Sequence, residues 1–282
     1  MTEPNPTRLS FPRETLALLR VCWGRLLAIA VAAELFSLLL GGGLLLAVYS
    51  GADGGFDGVD EPVRLAAVYA VPGVLTAVSH AWAWAAASEV FRGVGEGRRV
   101  GFGEALRRGL RHCGRLALWL AAVALLSAAG SAYSVHVLLD GYATAEFEAI
   151  TTVVTVGGWY LSFATALLPL VVLLERRGPG RAWWLAHSRA ATIGQIVAVL
   201  AFGWATSRLA DVGLTRMYVA GPGYAWWAAV AVETVVGIVT SIVTMAALTV
   251  VYLRRMSPAV PSAPDPATGG SEPVVIELGR TW

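Results

Sequence analysis

The sequence predicts an all-α, polytopic integral membrane protein: six transmembrane helices arranged as three hairpins, with amphipathic interfacial helices on the cytoplasmic side. Three observations predict it. Apolar residues make up 56% of the 282, charged residues only 14%, and mean hydropathy is +0.64, whereas a soluble domain carries roughly 25% charged residues. Six apolar stretches each reach the roughly 20 residues that a helix needs to cross a bilayer. The basic residues cluster at alternate ends of those stretches.

Met1 to Pro12 is polar and holds three prolines, so residues 1–12 are expected to be a disordered tail. Arg13 to Arg25 can form an amphipathic helix with Leu16, Leu19 and Trp23 on one side, leading into a first span at about 26–49. That apolar run is too long for a signal peptide's h-region of about 7–15 residues. An acidic, Gly-rich loop follows with Asp53, Asp57, Asp60 and Glu61. The second span, about 63–91, contains Pro72, which removes one backbone bond and should kink it.

Next comes the stretch Arg98 to Leu126, RRVGFGEALRRGLRHCGRLALWLAAVALL. At 100° per residue, Phe102, Leu106, Gly109, Leu110 and Cys113 share one side while Arg107, Arg108, Arg111 and Arg115 line the other. Such a helix lies along a membrane surface, with its apolar face in the acyl boundary and its arginines among anionic headgroups. The third span, about 116–139, ends at an acidic loop with Asp140, Glu146 and Glu148. The fourth, about 150–174, carries Gly157-Gly158 and Pro169 and runs into ERRGPGRAWWLAHSRA. The fifth and sixth span about 191–210 and 224–253, and residues 256–282, with five prolines, are expected to be a second disordered tail. The transmembrane domain is thus residues 13–255.

All 21 basic residues are Arg, a usage associated with GC-rich bacterial genomes, and only Arg64, Arg208 and Arg216 fall away from the side holding both termini. Positive-inside bias therefore puts both termini in the cytoplasm of a bacterial inner membrane. Gly24-Arg25-Leu26 and Gly114-Arg115-Leu116 repeat the same helix-to-span junction, and Gly180 to Ala191 keeps its Gly/Arg entry. Repeats of this kind occur in transporters, although a hairpin with a basic inner flank is also the natural insertion unit.

Four side chains form a candidate intramembrane polar site. Glu34 lies about 12 Å into the first span and Glu233 about 10 Å from the outer end of the sixth, at 1.5 Å per residue. His80 matches the depth of Glu34, and Arg208 that of Glu233, so both pairs are geometrically allowed. A charge facing lipid at mid-depth costs at least about 2.5 kcal/mol, so these groups should face the bundle. They could form a proton or cation path, or act as helix-locking hydrogen bonds. The candidate anionic-lipid contacts are Arg107, Arg108, Arg111, Arg115, Arg181 and Arg189. Beside a bilayer, lipid rather than nucleic acid is the nearer partner for them.

No phosphate-loop, zincin, serine-hydrolase or Cys/His metal motif occurs in the sequence. Gly93, Gly95, Gly97, Gly101 and Gly103 follow a membrane helix rather than a strand, and are read as a flexible connection. Cys22 and Cys113 carry neither metal nor disulfide spacing. An enzyme acting on prenyl or lipid pyrophosphates would need an acidic Mg²⁺-binding motif at the inner face, which is missing. No catalytic residue, cofactor or metal is implied.

The segment LLPLVVLLERRGPGRAWWLAHSRA resembles an element of six-span bacterial membrane proteins related to the membrane domain found beside some glycerophosphodiester phosphodiesterases. Pro169, Glu175, Gly178, Pro179 and Ala182 match its pattern, and FGEALRRGLRH resembles the family's inner helix. The chain departs by having Leu185-Ala186 where the family has Arg-Ser, and no phosphodiesterase domain follows. The resemblance implies a fold and no activity. The expected function is a non-enzymatic accessory or lipid-interacting scaffold with a membrane or cytoplasmic protein partner; the alternative is a small transporter or export permease using Glu34, His80 and Glu233.

Overall fold

The computed structural model describes residues 10–51, 62–139, 144–220 and 224–256. Most of both tails, the acidic loop 52–61 and Asp140 lie outside the described residues. What is described is helical, with no strand: α1 Phe11–Gly51, α2 Pro62–Gly95, α3 Phe102–His112, α4 Gly114–Leu139, α5 Thr144–Thr165, α6 Leu168–Leu170, α7 Pro179–His187, α8 Ala190–Ala220 and α9 Tyr224–Met256.

Among the described residues, four stretches are long and apolar enough to cross a membrane: Phe11–Leu40, Phe147–Glu175, Ala190–Ala210 and Ala231–Met256. The bent pair Phe102–His112 and Gly114–Gly130 makes up to five. The described part of α2 is not among them, because Pro72, Ser79, His80 and two indoles dilute its apolar content.

The molecule inverts the soluble pattern. Its outer surface carries Leu39, Leu118, Val153 and Leu209, each more than 70% exposed, which suits a hydrocarbon surround rather than water. Its centre is α2, where Ala81, Ala83, Ala85, Ala86 and Ala87 are fully buried. Lipid tails are as apolar as the helices, so helix association rests on close van der Waals packing, and small residues allow it. α1 and α4 pack on α2, and α9 packs on α1 and α8.

α2 ends as its glycines dictate. Gly97, at φ +67°, takes the left-handed conformation that favours glycine. Its N–H donates to the Val94 carbonyl and that of Arg98 to the Gly93 carbonyl, the paired bonds of a Schellman cap. The expected flexible connection is therefore a closed helix terminus.

α3 forms as the sequence implies, at 68° to the following helix segment, but its contact face differs. Ala105 and Gly109 are buried against α2, whereas Phe102 and Leu110 stay exposed at 41% and 67%. Trp82 Nε1 donates to the Leu106 carbonyl at 3.1 Å. A Cβ on Gly109 would lie 2.7 Å from the Ala86 backbone nitrogen, so the two backbones touch. Of its apolar side, the Phe102 and Leu110 edge stays uncovered.

The N-terminal amphipathic helix is not separate. α1 runs unbroken over 41 residues, through Gly24, and a Cβ at Gly24 would meet nothing within 4 Å. A mid-helix glycine costs only about 1 kcal/mol, too little to break a helix packed along its length.

Pro169 interrupts the α5 direction at the Ala166–Leu167 turn, since it has no N–H to give. A π-helical turn, Val171–Glu175, follows and ends at Arg176, whose φ of 56° is left-handed. This re-registration, a feature enriched at functional sites, aims Glu175 at its partners.

Candidate functional site

Polar contacts between elements concentrate at one end of the bundle. The Arg254 Nε donates to Glu14 at 2.8 Å, tying the end of α9 to the start of α1. Tyr252 donates to Glu175 at 3.2 Å, Arg255 Nε donates to Ser188 Oγ at 3.1 Å, and Arg115 donates to the Arg176 carbonyl. Together these gather the starts of α1 and α4, the turn after α6, the end of α7 and the end of α9. Of the basic residues named from the sequence, Arg115 and Arg181 meet here.

The six candidate lipid-contacting arginines divide into two groups. Arg108 reaches Glu104 at 2.7 Å and Glu89 at 3.6 Å. The Glu89 side chain is only 8% exposed and also receives Arg92 at 3.3 Å, so Arg108 serves the α2–α3 joint. Arg115 holds the Arg176 turn. Arg181 is committed to Glu175 at 2.9 Å. Arg107, Arg111 and Arg189 are exposed and form no ion pair among the described residues.

Glu175 is named from the sequence only as part of the family pattern, and Tyr252, Trp184, Ser188 and Arg255 are not named as site residues. Glu175 accepts from Arg181 and Tyr252, with Arg177 at 4.0 Å. The Arg181 guanidinium lies 4.8 Å from the Trp184 ring centroid and that of Arg255 5.3 Å, within range for cation–π attraction. Their signal was the run of three charges at Glu175–Arg177 and the Arg254-Arg255 pair, but no spacing rule joins residues 77 positions apart, as Glu175 and Tyr252 are.

His187 sits among three rings. It stacks on Trp183 at 4.4 Å and meets Phe163 at 5.0 Å and Tyr160 at 5.9 Å. Trp183 Nε1 donates to the Tyr160 hydroxyl at 2.9 Å, fastening α7 to α5.

The intramembrane candidates are brought together in part. Glu34 is half-buried and within Coulombic reach of His80. Its Oε1 would lie 3.8 Å from a Cβ on Gly237, so the carboxylate faces α9. His80 and Glu233 are both exposed at the helix surface, contrary to the expectation that each faces the bundle. Arg208 does not pair with Glu233; its guanidinium lies 5.8 Å from the Trp204 ring centroid. Gly157 and Gly158 permit no close helix approach, since a Cβ on either would meet nothing within 4 Å. Instead Gly158, with Ser127, Thr155, Ser162, Trp159 and Trp204, lines a cavity of about 390 Å³ between α4, α5 and α8.

Among the described residues, no group of three or more His, Cys, Asp and Glu is placed to hold a metal ion. Cys22 and Cys113 are buried free thiols. Comparison with protein-family models, with curated proteins and with solved structures finds no match.

Proposed function

We propose that this chain is a non-enzymatic, lipid-interacting scaffold of a bacterial inner membrane, with both termini cytoplasmic and six passes in three hairpins. The gathering of alternate helix ends at one basic face supports that topology. The resemblance to the membrane domain beside glycerophosphodiester phosphodiesterases is part of this proposal and bears on the fold alone. The observation that carries the reading is α3: a helix at 68° to its following span, with Arg107 and Arg111 exposed and uncommitted and Phe102 and Leu110 on its outer edge. That combination holds anionic headgroups at a membrane surface, while the fully engaged partners Glu89, Glu104 and Arg108 keep the helix fixed to the bundle.

The test compares cells carrying Arg107→Gln with Arg111→Gln, cells carrying Glu34→Gln, and deletion cells, with membrane levels checked by blot. Loss of the deletion phenotype's complementation in the arginine variant alone supports the scaffold. A defect confined to Glu34→Gln rejects it in favour of a permease. That second reading draws on one contact set, the Glu34 carboxylate facing Gly237 within reach of His80, and treats these groups as a proton or cation path.

A further inference from the structure

Arginine guanidinium groups repel one another, and a protein that collects them without acids needs an anion to complete the arrangement. At the junction of α7, α8 and α9, Arg181 and Arg255 both lie against the Trp184 ring, and Arg255 is bonded to Ser188, the chain neighbour of Arg189. The one carboxylate at this junction among the described residues, Glu175, is taken by Arg181, Arg177 and the Tyr252 hydroxyl. Arg189 and Arg255 are left with no acidic partner among the described residues. Arg255 is nevertheless held in place, its Nε bonded to Ser188 Oγ at 3.1 Å and its plane 5.3 Å from the Trp184 centroid. That leaves its two terminal nitrogens, the fork suited to an oxyanion, with no acceptor among the described residues. Arg189 and Trp184 are exposed beside it, so the position is open.

We propose that Arg189 and Arg255, oriented by Ser188 and Trp184, form a discrete binding site for one phosphate group, the headgroup phosphate of an anionic lipid. The site rests on the reading above, that this end of the bundle lies in the headgroup layer. It differs from the α3 face in being built: Arg107 and Arg111 are exposed with no ion pair among the described residues, whereas Arg255 is positioned by a hydroxyl and an indole. A phosphate seated here would relieve the repulsion between two cations and bridge α7 to α9.

The experiment uses the full chain, purified in neutral detergent and stripped of lipid. Native mass spectrometry counts bound dioctanoyl phosphatidylglycerol, with inorganic phosphate in a separate titration. One lipid per chain should bind tightly, and Arg255→Gln or Arg189→Gln should each weaken it by about tenfold or more, as loss of a charge-assisted hydrogen bond does. Arg255→Lys should recover only part of the affinity, because it keeps the charge and loses the fork. Arg107→Gln with Arg111→Gln should leave this one-to-one binding unchanged. If inorganic phosphate binds with the same dependence on Arg189 and Arg255, the phosphate site stands and the lipid as its source is overturned. Equal weakening in both variant groups overturns the discrete site but keeps the lipid-facing surface; no weakening in either overturns both. Should Arg255→Gln misfold, Arg189→Gln tests the same site at an exposed side chain.

Discussion

Replacing Gly109 by alanine tests the joint that holds the amphipathic helix to the bundle. The added Cβ would stand 2.7 Å from the Ala86 nitrogen, 3.0 Å from its Cα and 3.1 Å from its Cβ. Ordinary carbon contacts fall at about 3.5–4.0 Å, and the opposing atoms are mostly backbone, so α3 must back away or tilt. Overpacking of this kind costs about 1–3 kcal/mol. Lifting α3 also lengthens the bond from Trp82 Nε1 to the Leu106 carbonyl, now 3.1 Å, at about 1 kcal/mol. Alanine's helix propensity returns up to about 1 kcal/mol. The net expectation is a loss of about 1–3 kcal/mol. Gly103 on the same helix is the control, because a Cβ there would meet nothing within 4 Å. Gly103→Ala should be neutral or stabilising by up to about 1 kcal/mol. Thermal unfolding in detergent reads both, and the rate at which a maleimide reaches the buried Cys113 reads displacement of α3 directly. If Gly109→Ala proves as stable as Gly103→Ala, with Cys113 equally protected, the close α2–α3 contact is refuted.

Two further outcomes are expected. Glu175→Gln removes the charge and one of the two acceptor oxygens that serve Arg181 and Tyr252 and should destabilise by about 1.5–3 kcal/mol, the range for hydrogen bonds to charged groups. Glu14→Gln, whose pair with Arg254 is more than a quarter exposed on both sides, should cost no more than about 1 kcal/mol; equal unfolding shifts for the two would contradict the assignment of Glu175 as the organising acid. Gly97→Ala, at φ +67°, should cost about 1 kcal/mol through left-handed strain, with Gly103→Ala, which has open space around it, as the comparison in the same unfolding assay.

The amino-acid sequence determined much of this molecule alone. Apolar runs long enough for a bilayer and an arginine bias toward alternate ends follow from composition and order, because the bilayer's demand for internally satisfied backbone leaves helix as the available form for such runs. Helical periodicity likewise identified α3 as amphipathic, and equal depth paired Glu34 with His80. Depth along a helix is a linear quantity, readable at 1.5 Å per residue. Azimuth is not, so Glu233 and Arg208 share a depth and do not meet.

Tertiary packing decided the rest, and one tripeptide shows why. Gly-Arg-Leu occurs at residues 24–26 and at 114–116. The first lies inside an unbroken helix, and the second follows a 68° bend. Local propensity is the same in both places, so it cannot be the cause. α3 is pulled aside by contacts the local sequence does not contain: Gly109 on Ala86, Trp82 on Leu106, and Arg108 on the nearly buried Glu89. α1 instead has its start fastened by Glu14 to Arg254 on α9, in line with its own span. The same applies to the arginines. Six look alike as a string of charges, but Arg108, Arg115 and Arg181 hold the fold while Arg107, Arg111 and Arg189 face outward. Which is which depends on acids and carbonyls brought from other helices, over separations that only the assembled bundle defines.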